Sequence, residues 1–383
     1  MKRVAKFFKR LLKVLVVLIV IAVALLYLTD YDYILKGVRV VYLKGHTTAY
    51  IDDHPHFENL DIEVGNQPQP WPLHEKYNTV SATTALSEKN EELGTVAFLI
   101  IKNDSIWYEN YAEGYGTSSQ TNSFSMAKSI TSALLGKAIK DGYITGLDQP
   151  IGDFFEQYAN DKTTVGDLSS MASGLDWVES YTSPFSVTAR SYYDDDLAET
   201  ILKQKVVEEP GKAFKYLSGN TQLLGMVIEK ATGKKMPNYL SESLWKPLGA
   251  EQAALWQVDD EENQLVKSFC CIASNARDFA RFGKLYKDHG KWNGVQLIDS
   301  TFVSRSIVPR FEESPQYGYG FWLSDHKNKQ MFVMRGILGQ YVITIPEDNL
   351  IVVRLGHQRG NKNGNHFTDE FYLYVDEAYK MME

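Results

Sequence analysis

The sequence predicts an α/β chain of the α+β kind: an antiparallel sheet drawn from both chain ends and flanked by helices, an all-helical lobe inserted between them, and a separate N-terminal transmembrane helix. Three observations predict it. Two strand-like runs with a turn signal lie near residue 100, helical periodicity fills the middle of the chain, and strand periodicity returns after residue 317. Strands at both ends with helices between them imply one sheet closed by the two termini.

The first element is the apolar run at residues 14–28, extended by Leu11 and Leu12 past Lys13, whose long side chain can snorkel to an interface. Residues 11–28 span roughly 27 Å as a helix, enough for a bilayer core. Lys2, Arg3, Lys6, Lys9 and Arg10 precede it and Asp30 and Asp32 follow it. The positive-inside bias therefore puts residues 1–10 in the cytoplasm and the remainder outside. Ala22-Val23-Ala24 has signal-peptidase spacing, but cleavage there would strand Leu25, Leu26, Tyr27 and Leu28 on the mature end, so an uncleaved anchor is favoured.

Residues 29–75, rich in Tyr, Asp, His and Pro, read as a stalk packing on a domain formed by residues 76–383. Within that domain, residues 95–101 and 105–111 form a hairpin around Lys102-Asn103-Asp104. Residues 124–140 are a helix with Ala127, Ile130, Leu134 and Ala138 on one face and Ser129 and Ser132 on a polar surface row. A second helix, residues 221–232, is closed by Gly233. Strands follow at residues 317–323, 331–335, 341–345 and 350–355, then a terminal helix from Thr368.

Composition narrows the function. A formal charge of -8 excludes a basic nucleic-acid surface. The two cysteines, Cys270 and Cys271, are adjacent; they close no useful loop and read as two small buried side chains rather than a vicinal disulfide. Asp52, Asp53, His54 and His56 lack a second ligand cluster and read as a solvated loop, not a metal site. A G-x-S-x-G elbow and a Walker A loop are both absent, and no cofactor is implied.

A hydroxyl becomes a nucleophile when a base takes its proton, and a lysine three residues on along a helix lies beside it. Ser125-Met126-Ala127-Lys128 has that form, as do Ser243-Leu244-Trp245-Lys246 and Ser324-Asp325-His326-Lys327. Ser324 falls in a turn, and Ser243 precedes Lys246-Pro247, where its helix ends. Only Ser125 opens a long helix, with small residues Ala127 and Gly136 allowing close packing; on spacing alone it is equally an N-cap serine.

Four stretches in order then matter: Phe124-Ser-Met-Ala-Lys-Ser129, Leu168-Ser-Ser-Met-Ala-Ser-Gly-Leu175, Pro210-Gly211 leading to Tyr216-Leu-Ser-Gly-Asn-Thr221, and Gly336-Ile-Leu-Gly-Gln340. Across residues 90–360 they resemble the serine β-lactamase and penicillin-binding-protein superfamily, in the class C-like branch of family VIII-type esterases and 6-aminohexanoate-dimer hydrolases. The resemblance implies a β-lactamase-like fold and an acyl-enzyme on Ser125. It implies Lys128 as proton acceptor and Tyr216 as the relay to the leaving group, although Tyr216 is one of 23 tyrosines and has no local signal of its own. It further implies an oxyanion hole from the backbone of Ser125 and Ile337, and substrate contacts from Tyr181, Ser218, Gly336 and Gly339. Asp278 also recurs in the family and is read as structural.

The chain departs from the pattern in three ways. Ser218 stands in place of the Asn of Tyr-x-Asn, no S-D-N triplet is present, and Met334 replaces the cation of the K-T-G or H-x-G strand. Arg335 is the neighbour, but strand alternation turns it to the other face. The expectation is a serine hydrolase on a bacterial cell membrane, its domain periplasmic or extracellular, cleaving small amide, ester or peptide substrates in preference to β-lactams. A D,D-peptidase or β-lactamase acting on wall peptides or β-lactams, and a non-turnover penicillin-binding-like receptor, are the competing readings. Oligomeric state has no sequence signal.

Overall fold

The computed structural model describes residues 2–383. The chain runs through helices α1 (Lys2–Leu28) and α2 (Tyr33–Val40), strand β1 (Asn59–Ile62), α3 (Thr84–Glu92), the hairpin β2 (Thr95–Lys102) and β3 (Ser105–Tyr111), β4 (Thr121–Asn122) and α4 (Met126–Lys140). The helical lobe holds α5 (Val165–Ser169), α6 (Val187–Tyr193), α7 (Leu197–Leu202), α8 (Ser218–Thr232) and α9 (Met236–Leu240). Then come β5 (Ala254–Gln257), β6 (Ile272–Ser274), α10 (Ala276–Lys287), β7 (Lys291–Trp292), β8 (Val295–Gln296), α11 (Ser300–Ser306), β9 (Trp322–Ser324), β10 (Met331–Gly336), β11 (Gln340–Ile345), β12 (Leu350–Gly356) and α12 (Asp369–Met382).

A six-stranded antiparallel sheet has the order β3-β2-β12-β11-β10-β9, so both chain ends build it as expected. Asn103 and Asp104 turn the β2–β3 hairpin with φ of 51° and 60°, the left-handed pair a tight hairpin needs. Alternation then sorts the side chains. Phe98, Ile100, Val333, Ile343 and Val352 pack with Phe371, Tyr374 and Ala378 of α12, while Leu99, Ile101, Met334, Val342 and Val353 join the larger core that contains α4, α8 and α10. With both faces covered, the strands read as continuous apolar runs rather than alternating ones.

Three expectations change. The strand forecast at residues 317–323 is mostly irregular, its regular part being Trp322–Ser324; Tyr317, Tyr319 and Phe321 are nevertheless buried, Tyr317 against Phe214, Tyr216 and Trp322, and Phe321 against Tyr286 of α10. Ser129 and Ser132 are buried rather than on a surface row: Ser129 Oγ donates to Gly320 O (2.6 Å) and Ser132 Oγ to Tyr319 O (2.8 Å), stitching α4 to that irregular stretch. The 29–75 segment packs on the domain, and it also enters it, since β1 pairs with β5 and Ile51 and Ile62 are fully buried.

Helix α1 is the single helix among the described residues long and apolar enough to cross a membrane, with mean hydropathy 3.1 and no buried residue. Its close neighbours in sequence fold differently: α2 buries Tyr33, Gly37 and Val40 against α6, where Gly37 faces the Tyr193 ring.

Candidate active site

Ser125 occupies the N-cap of α4, yet its side chain makes no capping bond. Phe124, immediately before it, holds φ 44°, a strained conformation for a non-glycine residue. The Asn122 side chain holds the turn by accepting from Phe124 N–H (2.8 Å). Freed from capping, Ser125 Oγ instead meets Lys128 Nζ at 3.1 Å. Lys128 is 3 % exposed, donates to Phe269 O at 2.8 Å, and lies 5.2 Å from the centre of the Tyr216 ring. Burial pulls its pKa down to about 8, against the opposing Glu179 carboxylate.

Tyr216 comes from the irregular stretch just before α8, in contact with Trp322 (5.3 Å between rings) and Tyr317. It lines the cleft together with Ser125; burial pushes the phenol well above its ordinary pKa, and the neighbouring Ser125 hydroxyl pulls the other way. A nucleophile, a desolvated amine and a protonated phenol therefore meet at one point.

The cleft has two halves that share Ser125, Tyr181 and Ile337. The inner half, about 100 Å³, is walled by Thr48, Ala49, Phe124, Tyr192, Phe269 and Cys270, among others. The outer half, about 400 Å³, carries Tyr216, Trp322, Gly336 and the cations Arg335, Arg359 and Lys362. A larger cavity of about 680 Å³ lies beside α2, with Lys36 and Arg39 facing Asp195, Asp259 and Glu261, and does not include Ser125.

Gly336 leaves room that a side chain would fill, because a Cβ there would stand 2.4 Å from Ser123 O. The turn beyond it is held from behind by buried Arg354, which donates to Leu338 O (2.7 Å) and Gly339 O (3.0 Å), and by Gln340 Nε2, which donates to Ile337 O (3.2 Å). Carbonyls fixed on the far side leave Ile337 against the cleft. Gly339 does not line it: its missing side chain makes room for Arg354 Nη1, 2.7 Å from where a Cβ would stand.

Ser218 borders the inner half, but its hydroxyl is committed to Glu179 Oε1 (2.8 Å). Glu179, which sequence reasoning passed over, accepts four bonds: from Ser218 Oγ, Ser218 N–H (2.7 Å), Trp177 Nε1 (2.8 Å) and Tyr181 Oη (2.6 Å). Two of those donors are local, but the two bonds that tie Glu179 to the helix beyond Tyr216 come from Ser218, 39 residues away. Tyr181 is 57 % exposed and borders both halves of the cleft, its hydroxyl donating to Glu179 Oε1.

Arg335 corrects an expectation. Alternation does place it on the α12 face, but β10 ends beside the short edge strand β9, so the guanidinium lies over Trp322 (4.9 Å) and Phe367 (5.1 Å) and reaches the outer cleft. The cysteines correct another: both are buried, but Cys270 and Cys271 are joined as a vicinal disulfide, with Cys271 at φ 76°. Asp53, expected in a solvated loop, is fully buried. Asp278 is structural, accepting from Glu251 N–H, Gln252 N–H, Asn275 Nδ2 and Arg281 Nε. Among the described residues no group of three or more His, Cys, Asp or Glu is placed to hold a metal.

The other two S-x-x-K copies form no dyad. Ser243 Oγ donates back to Tyr239 O, and Lys246 pairs with Glu63 at 2.6 Å. Lys327 pairs with Asp376 at 3.5 Å.

Comparison with known proteins gives the family and the fold. The family model described as beta-lactamase matches residues 82–374. The 6-aminohexanoate-dimer hydrolase of Paenarthrobacter ureafaciens is 25 % identical over 295 residues, covering 70 % of this chain and 74 % of that protein. A D-aminopeptidase of Brucella anthropi is 26 % identical over 225 residues, 54 % of this chain and 43 % of that longer protein. In fold, a solved structure described as a 6-aminohexanoate-dimer hydrolase of Bacillus anthracis matches with a TM-score of 0.72 at 21 % identity, over 91 % of this chain and 93 % of that one.

Proposed function

Because this chain belongs to the beta-lactamase family and is a serine hydrolase acting on amides or esters, we propose that it works through an acyl-enzyme on Ser125. Ser125 Oγ attacks the substrate carbonyl while neutral Lys128 takes its proton. The backbone N–H groups of Ser125 and Ile337 receive the negative oxygen. Tyr216 passes a proton to the departing nitrogen or oxygen as the carbonyl bond to it breaks. Water then attacks the acyl carbon, the same groups accept and return its proton, and Ser125 is restored.

One observation carries the reading: Lys128 Nζ stands 3.1 Å from Ser125 Oγ in a setting that lowers its pKa to about 8. A charged lysine would hold the serine proton in place; a desolvated one removes it.

The substrate belongs to the small amides, esters and peptides. Tyr216 lines the outer half alone, so the leaving group lies there, beside Arg335, Arg359 and Lys362. Those cations suit a leaving group that carries an anion. Met334 is buried within β10 and offers no cation on the strand's inner face, so the anion of such a substrate meets Arg335, Arg359 and Lys362 instead. Helix α1 anchors the domain in a membrane, with its basic N-terminal turns on the cytoplasmic side and the cleft outside.

A serine-directed fluorophosphonate tests the reading. It should add one label to the protein, and Ser125→Ala should remove both the label and p-nitrophenyl ester turnover, whereas Ser243→Ala should keep both. Loss with Ser243→Ala and retention with Ser125→Ala would move the site elsewhere.

A further inference from the structure

The segment that follows α1 and α2 does more than connect them to the domain. Thr48 and Ala49 form part of the inner wall of the cleft, together with Phe269 and Ile337. Two residues on, Ile51 O accepts from Asn122 N–H at 2.7 Å, which pins β4 just before the nucleophile turn. Asp53 is fully buried and accepts three bonds: from Asn122 Nδ2 (2.8 Å), Tyr192 Oη (2.6 Å) and Gln257 Nε2 (3.2 Å). Asn122 is the residue whose other amide atom holds Phe124 N–H, and Tyr192 is a wall of the inner half.

One carboxylate thus links the strained turn that presents Ser125 to the helix that walls the chamber. Burial pushes Asp53 up to about 6, while the bonds from Tyr192 and Asn122 and the nearby Lys267 act against that. A fully buried carboxyl with three donors is costly to assemble and unforgiving of the loss of one.

We propose that residues 48–53 are a working part of the active site: Ala49, with Thr48, limits the length of the acyl group that the inner half accepts, and Asp53 is a positioning residue holding the nucleophile turn against the chamber wall. The proposal rests on the Ser125 acyl-enzyme reading. Since the leaving group lies on the Tyr216 side, the acyl group occupies the inner half, whose volume of about 100 Å³ suits a short aliphatic chain. Ala49 faces that space with one methyl group, so residue size at this position sets its depth.

The test uses the full-length protein in detergent micelles, with a series of p-nitrophenyl esters from acetate to hexanoate. In Ala49→Leu the hexanoate-to-acetate ratio of kcat/KM should fall about 10- to 100-fold, the range that a few methylenes command in a fitted pocket. Ala49→Gly should raise it. An unchanged ratio in both overturns the specificity assignment. In Asp53→Asn the side chain can no longer accept from Tyr192 at Oδ2, and fluorophosphonate labelling of Ser125 should slow about 10-fold, with kcat reduced more than KM is raised.

Labelling at the wild-type rate in folded Asp53→Asn overturns the positioning role. Tyr192→Phe keeps the ring and removes only its hydroxyl, so it reads the same link should Asp53→Asn fail to fold; wild-type labelling there overturns the role equally. Ser125→Ala separates the two levels. Activity surviving that change removes the acyl-enzyme reading itself, whereas its loss alongside an unchanged ester series removes only this inference.

Discussion

Two regions of the molecule carry the same four-residue pattern and do opposite things. At the start of α4, Lys128 is buried, meets Ser125 at 3.1 Å and has its pKa lowered. Beyond the end of α9, the Lys246 side chain is 34 % exposed and turned to Glu63, while Ser243 bonds back to its own helix. Spacing is shared; desolvation is not. The difference teaches that a serine-lysine pair becomes reactive through what surrounds the amine and what the serine is prevented from doing, here capping its own helix.

The largest effect expected from this contrast is on turnover. Lys128→Met should lower ester kcat/KM by about three orders of magnitude or more, as loss of one member of a catalytic unit does; Lys246→Met should leave it at the wild-type value. A comparable loss in Lys246→Met would erase the distinction between the two regions.

The pH profile comes next. Lys128 acts as a base only when neutral, so the rate of Ser125 acylation should rise with pH and level off above about 8. Glu179 raises the Lys128 pKa, so Glu179→Gln, which keeps the shape of that side chain, should move the midpoint to lower pH. A midpoint that moves upward would mean that Glu179 acts on the amine through something other than its charge.

The smallest effect is on stability. The amine falls from its ordinary 10.5 to about 8 on folding, so the folded state is penalised by about 3 kcal/mol when both states are charged, below pH 8. The penalty shrinks as pH rises from about 8 toward 10.5, where the unfolded lysine also loses its proton. Lys128→Met should therefore be inactive yet more stable at pH 7, by about 1–3 kcal/mol once the lost bonds to Ser125 and Phe269 are allowed for. Chemical denaturation of the two proteins measures it, and a destabilised Lys128→Met would show that those bonds outweigh the desolvation.

The sheet from both chain ends, the β2–β3 turn and α4, α8 and α12 were legible because each rests on local periodicity and turn chemistry, which the chain carries in consecutive residues. Ser125, Lys128 and Tyr216 were legible as a motif in order, and the structure brings all three to one point. Ser218 and Gly339 were legible only as neighbours of that motif: Ser218 gives its hydroxyl to Glu179, and Gly339 accommodates Arg354. Glu179 and Arg354 left no trace, because the bonds that hold them in place run to Ser218 and Thr95, far along the chain, and Asp53 read as solvated because a carboxylate on an isolated loop looks so until something covers it.

By itself, then, the order of residues determined most strands of the main sheet and the long helices α4, α8 and α12, which helix is apolar enough for a bilayer, and which three serines have a lysine three residues on. Packing decided which of three such lysines loses its water, which side of the cleft is apolar and which is cationic, and that the segment after α1 belongs to the wall of the site. The physical reason is range. Backbone preferences act over a few residues, whereas desolvation and the satisfaction of buried charge depend on every element that closes around a group.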